Sequence, residues 1–232
     1  VDYFDYYLLH NLGVSHYAVA EEYNAFAFIQ KKKEEGKIRN IGFSHHDNAA
    51  LLEEILTEHS EVDFVQLQIN YLDWDNESIQ SRKCYDVATK HSKPVIVMEP
   101  VKGGTLTDIP ADAKKLFKEY NPELSVASWG IRFAASLENV MIVLSGMSSA
   151  EQLLDNTSYM QNFKPLNHGE QNVIKQAIGI IRESIAVPCT ACEYCIAGCP
   201  KNIAVPKYFA LYNAEKLSPS KSFSTHNVYY SN

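Results

Sequence analysis

Four cysteines near the C-terminus carry the most specific chemical signal. Cys189, Cys192, Cys195 and Cys199, followed by Pro200, read C-x2-C-x2-C-x3-C-P. Two-residue spacers wrap a tight loop in which successive thiolates point inward, and the proline ends it. This is the bacterial ferredoxin run for a 4Fe-4S cluster. Structural zinc also takes four cysteines, but usually as two C-x2-C pairs with a longer gap between them. In two-cluster ferredoxins the fourth cysteine of such a run ligates the other cluster. Either Cys199 closes one cluster with its three neighbours, or a second run lay beyond Asn232. The fifth cysteine, Cys84, falls in the helical pattern Cys84-Tyr85-Asp86-Val87-Ala88, where a buried apolar role is expected. Clustering of this kind reads as a metal site and not as a disulfide framework.

A second set of polar residues follows five apolar, strand-like runs at 3–9, 38–43, 64–69, 95–98 and 140–144. The positions after or at their ends hold His10; Ser44 with His45 and His46; Asn70; Glu99; and Ser145-Gly146. His10 is placed to act as a general acid or a hydrogen-bond donor to a substrate carbonyl, or else simply caps a strand end. His45-His46-Asp47 suggests a metal site, but adjacent residues do not easily face one ion, so polar residues at a helix start are expected. The fifth run continues into Gly146-Met147-Ser148-Ser149-Ala150-Glu151-Gln152. Ser149 with Gln152 forms a capping-box pattern, and the free N–H groups of that helix start make either a phosphate site or a plain cap. Gly103-Gly104 reads as a turn, and the chain contains no P-loop or GxGxxG.

Helical patterns at 19–33, 49–59, 78–91, 113–120 and 126–136 separate the runs. Strands alternating with helices of this length imply right-handed βαβ units and a parallel sheet. Gly36 ends the first helix after its lysines, and Asp47 is the expected N-cap of the second. In the third run Gln66, Gln68 and Asn70 alternate with Val65, Leu67 and Ile69. A central strand of an open doubly wound sheet is apolar on both faces, so one polar face fits a barrel lumen better than anything but a polar edge strand.

The fold class expected is therefore α/β: a (β/α)8 TIM-barrel portion of about five βα units, followed by a helical and loop iron–sulfur segment. A closed barrel has eight units in roughly 250 residues, so three more units are expected upstream of Val1. Beyond Asn156 a helix spans 167–185, with Asn167 and Glu170 as a capping box and Ile174, Ile178, Ile181 and Ile185 on one face. The expected domains are 1–160, the barrel part; 161–186, a connecting helix; and 187–232, the ferredoxin-type segment.

Composition narrows the partners. Twenty-eight acidic against 21 basic residues leave a net charge of −7, which disfavours nucleic acid and anionic membrane surfaces. No run approaches the roughly 18 apolar residues of a membrane span, and no signal pattern opens the chain, so a cytoplasmic location is expected.

These residues resemble the aldo-keto reductase family. Tyr6-Tyr7-Leu8-Leu9-His10 is similar to its fourth strand, which ends in the active-site histidine. Ile41-Gly42-Phe43-Ser44 is similar to the fifth, whose serine contacts the nicotinamide amide, and Gln66-Leu67-Gln68-Ile69-Asn70 to the sixth, whose first glutamine does the same. Leu144 through Ser149, with Gln152, Asp155 and Asn156, resembles the eighth-strand loop and helix that hold the cofactor phosphates and adenine. Together with the ferredoxin run, the resemblance points to the ferredoxin-containing branch of the family. It implies NADP or NAD bound across the barrel mouth at Ser44, Gln66, Met98, Gly146, Met147, Ser148, Gln152, Asp155 and Asn156, and hydride transfer to a carbonyl oriented by His10. The family's tyrosine acid, lysine and aspartate map onto no residue of this chain, so the chain alone is expected to be inactive. Where the family usually places a tyrosine under the nicotinamide, this chain has Met98, and where many members carry a cation for the 2′-phosphate it has Ser148 and Ser149. The function implied is an NAD(P)H-dependent oxidoreductase acting on a small molecule, with a redox partner protein as a further possibility. The rival reading is an iron–sulfur electron-transfer or docking module on a non-catalytic barrel scaffold.

Overall fold

The computed structural model describes residues 1–77, 79–187, 189, 194–197, 199–201 and 203–217. It divides into two compact units. The first comprises Val1–Pro100 and Ile131–Ser149, and the second Val101–Gly130 with the described residues from Ala150 onward.

The first unit is a parallel sheet of five strands: β1 (Phe4–Leu12), β2 (Ile38–His45), β3 (Phe64–Gln68), β4 (Val95–Met98) and β5 (Val140–Val143). Their spatial order is their chain order, and every neighbouring pair is parallel. Helices α1 (Val14–Glu22), α2 (Ala25–Glu34), α3 (Ala49–Glu58) and α4 (Ser81–Lys90) make the crossovers between the first four strands. The odd-numbered side chains of the central strands, Phe43, Val65, Leu67, Val95 and Val97, are buried in one apolar cluster with Leu52, Ile55 and Leu56 of α3 and Cys84 and Ala88 of α4. Burying a face of each helix against the sheet supplies the main driving force for the unit.

The even-numbered side chains of β1 to β4 line the opposite face, which is concave, and Met141 of β5 reaches it where the β4–β5 register shifts. The Tyr6 hydroxyl on β1 donates to Met141 Sδ on β5 over 3.7 Å. Four flat strand spacings would separate those backbones by about 19 Å, so only a strongly curled sheet brings the two side chains together. Tyr6 also meets Phe64 edge-on at 5.4 Å. Gly42 makes room there: a Cβ on it would stand 2.5 Å from the Phe64 carbonyl oxygen and 2.8 Å from its ring. The polar alternation of β3 thus faces a curled interior, as a barrel portion requires.

Several local expectations need correction. The helix expected over 19–33 is two helices, because Asn24 adopts left-handed backbone (φ 52°) between α1 and α2; asparagine is among the few residues that tolerate this. The first strand does not end at residue 9 but continues to Leu12 through an irregularity between Leu9 and Leu12. The N-cap of α3 is Asn48, whose side chain accepts from the Leu51 N–H, and not Asp47. Asp47 instead accepts from the Val14 N–H at the start of α1, over 3.1 Å, where a carboxylate suits the helix dipole.

The second unit contains a 3-10 turn (Lys102–Thr107), α5 (Ala111–Tyr120), the first half of α6 (Val126–Ala135), α7 (Ala150–Met160), α8 (His168–Glu183), the short α9 (Tyr194–Ala197) and α10 (Val205–Leu217). Gly103 and Gly104 both have positive φ within the turn, as that dipeptide predicts. Phe117 of α5 stacks on Trp129 of α6 at 4.5 Å, and Ile174, Ala177 and Ile181 form the buried stripe of α8. The capping box of Asn167 and Glu170 is present at the start of α8 as expected. Among the described residues no helix is long and apolar enough to cross a membrane.

Candidate active site

Within the first unit, Ser44, of the strand-end residues singled out, lies beside Gln66 and Met98 on adjacent strands. His10 lies near the end of β1, followed by Asn11 in left-handed backbone (φ 62°). The strand irregularity there is a β-bulge, a device that re-aims side chains beside functional sites. The Asn11 N–H donates to Ser44 Oγ over 2.7 Å, and the Asn11 carbonyl accepts from His16 Nδ1 over 2.7 Å. Ser44 is fully buried on β2 and pairs in register with Gln66 on β3. Gln66 Nε2 donates to Met98 Sδ, 3.4 Å away on β4. Ser44, Gln66 and Met98 therefore form a continuous polar and polarisable row across three adjacent strands.

His10 has one histidine as a ring neighbour among the described residues: its ring meets His46 edge-on at 6.3 Å. Loss of water around the ring, with the neighbouring His10, His45 and His16, holds His46 down to about 4. Burial likewise lowers the His45 pKa, and His45 Nε2 hydrogen-bonds the Asn48 carbonyl at 2.9 Å. His45 and His46 thus serve different partners, as their adjacency predicts. Asn70 is occupied within its own turn, donating to the Asp73 carboxylate and accepting from the Asp73 N–H, both over 2.9 Å. Gly146, Met147 and Ser148 follow β5 in an exposed loop with no positive charge of its own.

The remaining expected cofactor residues lie on α7, in the second unit. Gln152 is exposed, Asp155 accepts from the Ser125 hydroxyl over 2.6 Å, and Asn156 accepts from the Tyr159 hydroxyl. Asp155 and Asn156 therefore have partners within their own unit. Cys84 of α4 is buried in the cluster with α3 and the sheet, and burial, helped by Asp47, pushes its thiol up to about 12. That matches an inert apolar role.

Of the four clustered cysteines, Cys192 lies outside the described residues. Cys189 and Cys195 are exposed and Cys199 is half-buried. Among the described residues, no group of three or more His, Cys, Asp or Glu side chains is close enough to hold a metal ion. Cys199 Sγ accepts a hydrogen bond from the Ile203 N–H over 3.4 Å.

Asn11 and His16 also belong to this site and are not marked by the strand-end pattern. An asparagine directly after the strand-end histidine was the available signal for the bulge, since asparagine is enriched at positive φ.

With this geometry in view, comparisons with known proteins are specific as to fold. The family model described as "Aldo/keto reductase family" matches residues 1–178. The holo form of aldo-keto reductase AKR11C1 from Bacillus halodurans superposes with a TM-score of 0.58 at 24% identity, over 76% of this chain and 59% of that one. An aldo/keto reductase from Brucella melitensis gives 0.57 at 23%, over 76% and 62%. One from Klebsiella pneumoniae, in complex with NADPH, gives 0.55 at 21%, over 75% and 58%. The chain thus spans about three fifths of the length of the solved structures it matches. No curated protein matches it.

Proposed function

The chain belongs to the aldo/keto reductase family, and from that premise we propose that its concave face holds the nicotinamide end of NADP or NAD in a carbonyl-reducing oxidoreductase. The observation that carries this reading is the row formed by Ser44, Gln66 and Met98 at the ends of successive strands, beside His10. Ser44 Oγ already accepts the Asn11 N–H, which orients its own proton for a carboxamide oxygen. The Gln66 amide exchanges the weak sulfur acceptor of Met98 for the carboxamide, and the thioether then lies against the ring. His10 donates to the carbonyl oxygen of a small-molecule substrate. The bound nucleotide supplies the hydride. The Gly146–Ser148 loop receives phosphate, while the resemblance alone assigns adenine contacts to Gln152, Asp155 and Asn156; the absence of a cation in Gly146, Met147, Ser148 and Ser149 favours comparable use of NADH and NADPH. The tyrosine acid of the family is not among these residues, so binding without turnover is expected of the chain alone.

Cys189, Cys192, Cys195 and Cys199 are proposed to hold one 4Fe-4S cluster, serving a redox partner protein in a cytoplasmic setting. Four thiols at ferredoxin spacing are the right donor set, and the N–H bond to Cys199 Sγ fits its thiolate form. The Met98 substitution favours the rival reading, an electron-transfer module on a barrel scaffold, and the same experiment separates the two. NADPH and NADH are titrated into the chain and followed by nicotinamide fluorescence. Saturable binding, weakened about tenfold in Gln66→Leu by loss of one hydrogen bond, supports the reductase. Binding of neither nucleotide leaves the scaffold.

A further inference from the structure

The cysteine run is bracketed by bonds to one helix, and one side chain makes the most specific of them. Asn213 lies in α10. Its Oδ1 accepts from the Val187 N–H over 2.9 Å, and its Nδ2 donates to the Val187 carbonyl over 2.7 Å. A side-chain amide carries a donor and an acceptor at fixed separation, so this pair fixes both the position and the direction of the backbone at Val187. The same Val187 carbonyl accepts from the Cys189 N–H over 2.9 Å. One carbonyl oxygen therefore joins Asn213 to the first cysteine of the run.

The last cysteine is tied to the same helix by another route. The Cys199 N–H donates to the Ile196 carbonyl over 3.0 Å, and Cys199 Sγ accepts from the Ile203 N–H. The Ile203 carbonyl in turn accepts from the N–H of Val205, the first residue of α10, over 2.8 Å. Both ends of the run thus lead to α10, although the C-x2-C-x2-C-x3-C-P pattern itself contains no residue of that helix.

We infer that Asn213 is the positioning residue of the cysteine run, clamping Val187 so that Cys189 is held at a fixed place relative to Cys199 through α10. The consequence for a cluster rests on the iron–sulfur reading above; the clamp itself does not. A run whose ends are already fixed loses less chain entropy when a metal centre orders it. Such a cluster is also harder to strip, because release of one thiolate does not free the chain.

The test compares the full chain with Asn213→Leu, which removes both bonds, and Asn213→Asp, which keeps an acceptor for the Val187 N–H but faces the Val187 carbonyl with a carboxylate. In a Trp74→Phe background, Trp129 fluorescence verifies that the second unit is folded in each, and Asn213→Asp carries the test if the leucine variant does not fold. In the metal-free chain, amide hydrogen exchange at Val187 and Cys189 is expected to quicken about tenfold in the variants. After anaerobic reconstitution with iron and sulfide, cluster absorbance under a chelator is expected to decay about tenfold faster, in keeping with the loss of one or two hydrogen bonds. Unchanged exchange in both variants overturns the clamp. Failure of the wild-type chain to take up iron and sulfide overturns the cluster reading, and exchange in the metal-free chain still decides the role of Asn213.

Discussion

Replacing Gly42 with alanine tests the curled sheet and the site together. Considered without tertiary contacts, Gly→Ala in a strand stabilises by roughly 0.4–1 kcal/mol, because the unfolded chain loses freedom. The structure reverses that sign. The added methyl would stand 2.5 Å from the Phe64 carbonyl oxygen and 2.8 Å from two ring carbons of the same residue. An ordinary carbon–oxygen approach is about 3.3 Å or more, so β2 and β3 must part by several tenths of an ångström at their Gly42–Phe64 pairing. The ring can turn away, but the carbonyl belongs to the β3 backbone and cannot. Overpacking costs about 1–3 kcal/mol, and a loosened ladder bond adds about 1 kcal/mol. After the entropic gain is subtracted, a net loss of about 2 kcal/mol is expected.

Urea unfolding of the first unit reads this directly. The chain has two tryptophans, Trp74 in the first unit and Trp129 in the second, so a Trp129→Phe background leaves one reporter of the sheet. With a denaturant slope of about 1–3 kcal/mol per molar, Gly42→Ala is expected to lower Cm by about 1 M. Adding Phe64→Leu removes the ring contacts and leaves the carbonyl contact, so it should restore less than half of the loss. Because Ser44 and Gln66 pair two residues further along the same strands, nucleotide affinity should fall in parallel. A Cm equal to or above that of the parent would refute the close approach of β2 and β3 and, with it, the reason for a glycine at 42.

Three other outcomes follow from particular contacts. A Cβ at Gly169 would stand 2.5 Å from the Tyr120 hydroxyl and 3.1 Å from Asn167 Oδ1, so Gly169→Ala should destabilise the second unit and Tyr120→Phe should relieve part of that loss; additive effects in a double-mutant cycle would count against the contact. The His46 ring should titrate at about 4 by NMR. Its neutral form is favoured in the fold while the unfolded chain protonates near the ordinary 6.5, so this stability is complete above pH 6.5 and is lost as pH falls toward 4, with His45 acting in the same direction; a midpoint near 6.5 would contradict this environment. In the metal-free native chain at pH 8, iodoacetamide should label the exposed Cys189 and Cys195 and spare Cys84; mass spectrometry showing equal labelling of Cys84 would contradict its burial.

What could be read from the sequence was whatever periodicity and local chemistry encode. Period-two alternation at Gln66 and Gln68 announced a strand with one polar face, and that face is the one turned to the curled interior. The Asn167–Glu170 capping box and the Gly103-Gly104 turn were legible because their geometry is dictated within four residues. Departures occurred where a distant partner decides. Asp47 looks like a helix cap, but the neighbouring Asn48 fills that role and leaves Asp47 for the N-terminus of α1, 33 residues away in the chain. The break at Asn24 and the bulge at Asn11 both turn on an asparagine in left-handed backbone, a conformation that hydrophobic patterning does not register. Nor does any pattern within the cysteine run indicate that Asn213 bonds its leading edge.

The bulge at Asn11 explains why the site lies where it does. In a regular parallel pairing the residue after His10 would face the helices, with its N–H committed to β2 backbone. Left-handed backbone at Asn11 takes that N–H out of the ladder and gives it to Ser44 Oγ. One local deviation therefore shifts the register so that Leu12 meets His45. It also orients the serine hydroxyl and draws the Asn11 carbonyl toward His16. The buried Ser44 hydroxyl is thereby given a partner without using a side chain from the concave face, and Gln66, its register neighbour, is left to point along that face to Met98. The row that the proposed nicotinamide site requires is in this sense a product of the bulge. Replacing Asn11 with glycine, which also tolerates positive φ, should preserve the row, whereas valine, which strongly resists it, should disturb nucleotide binding even though residue 11 is not itself proposed to touch the nucleotide.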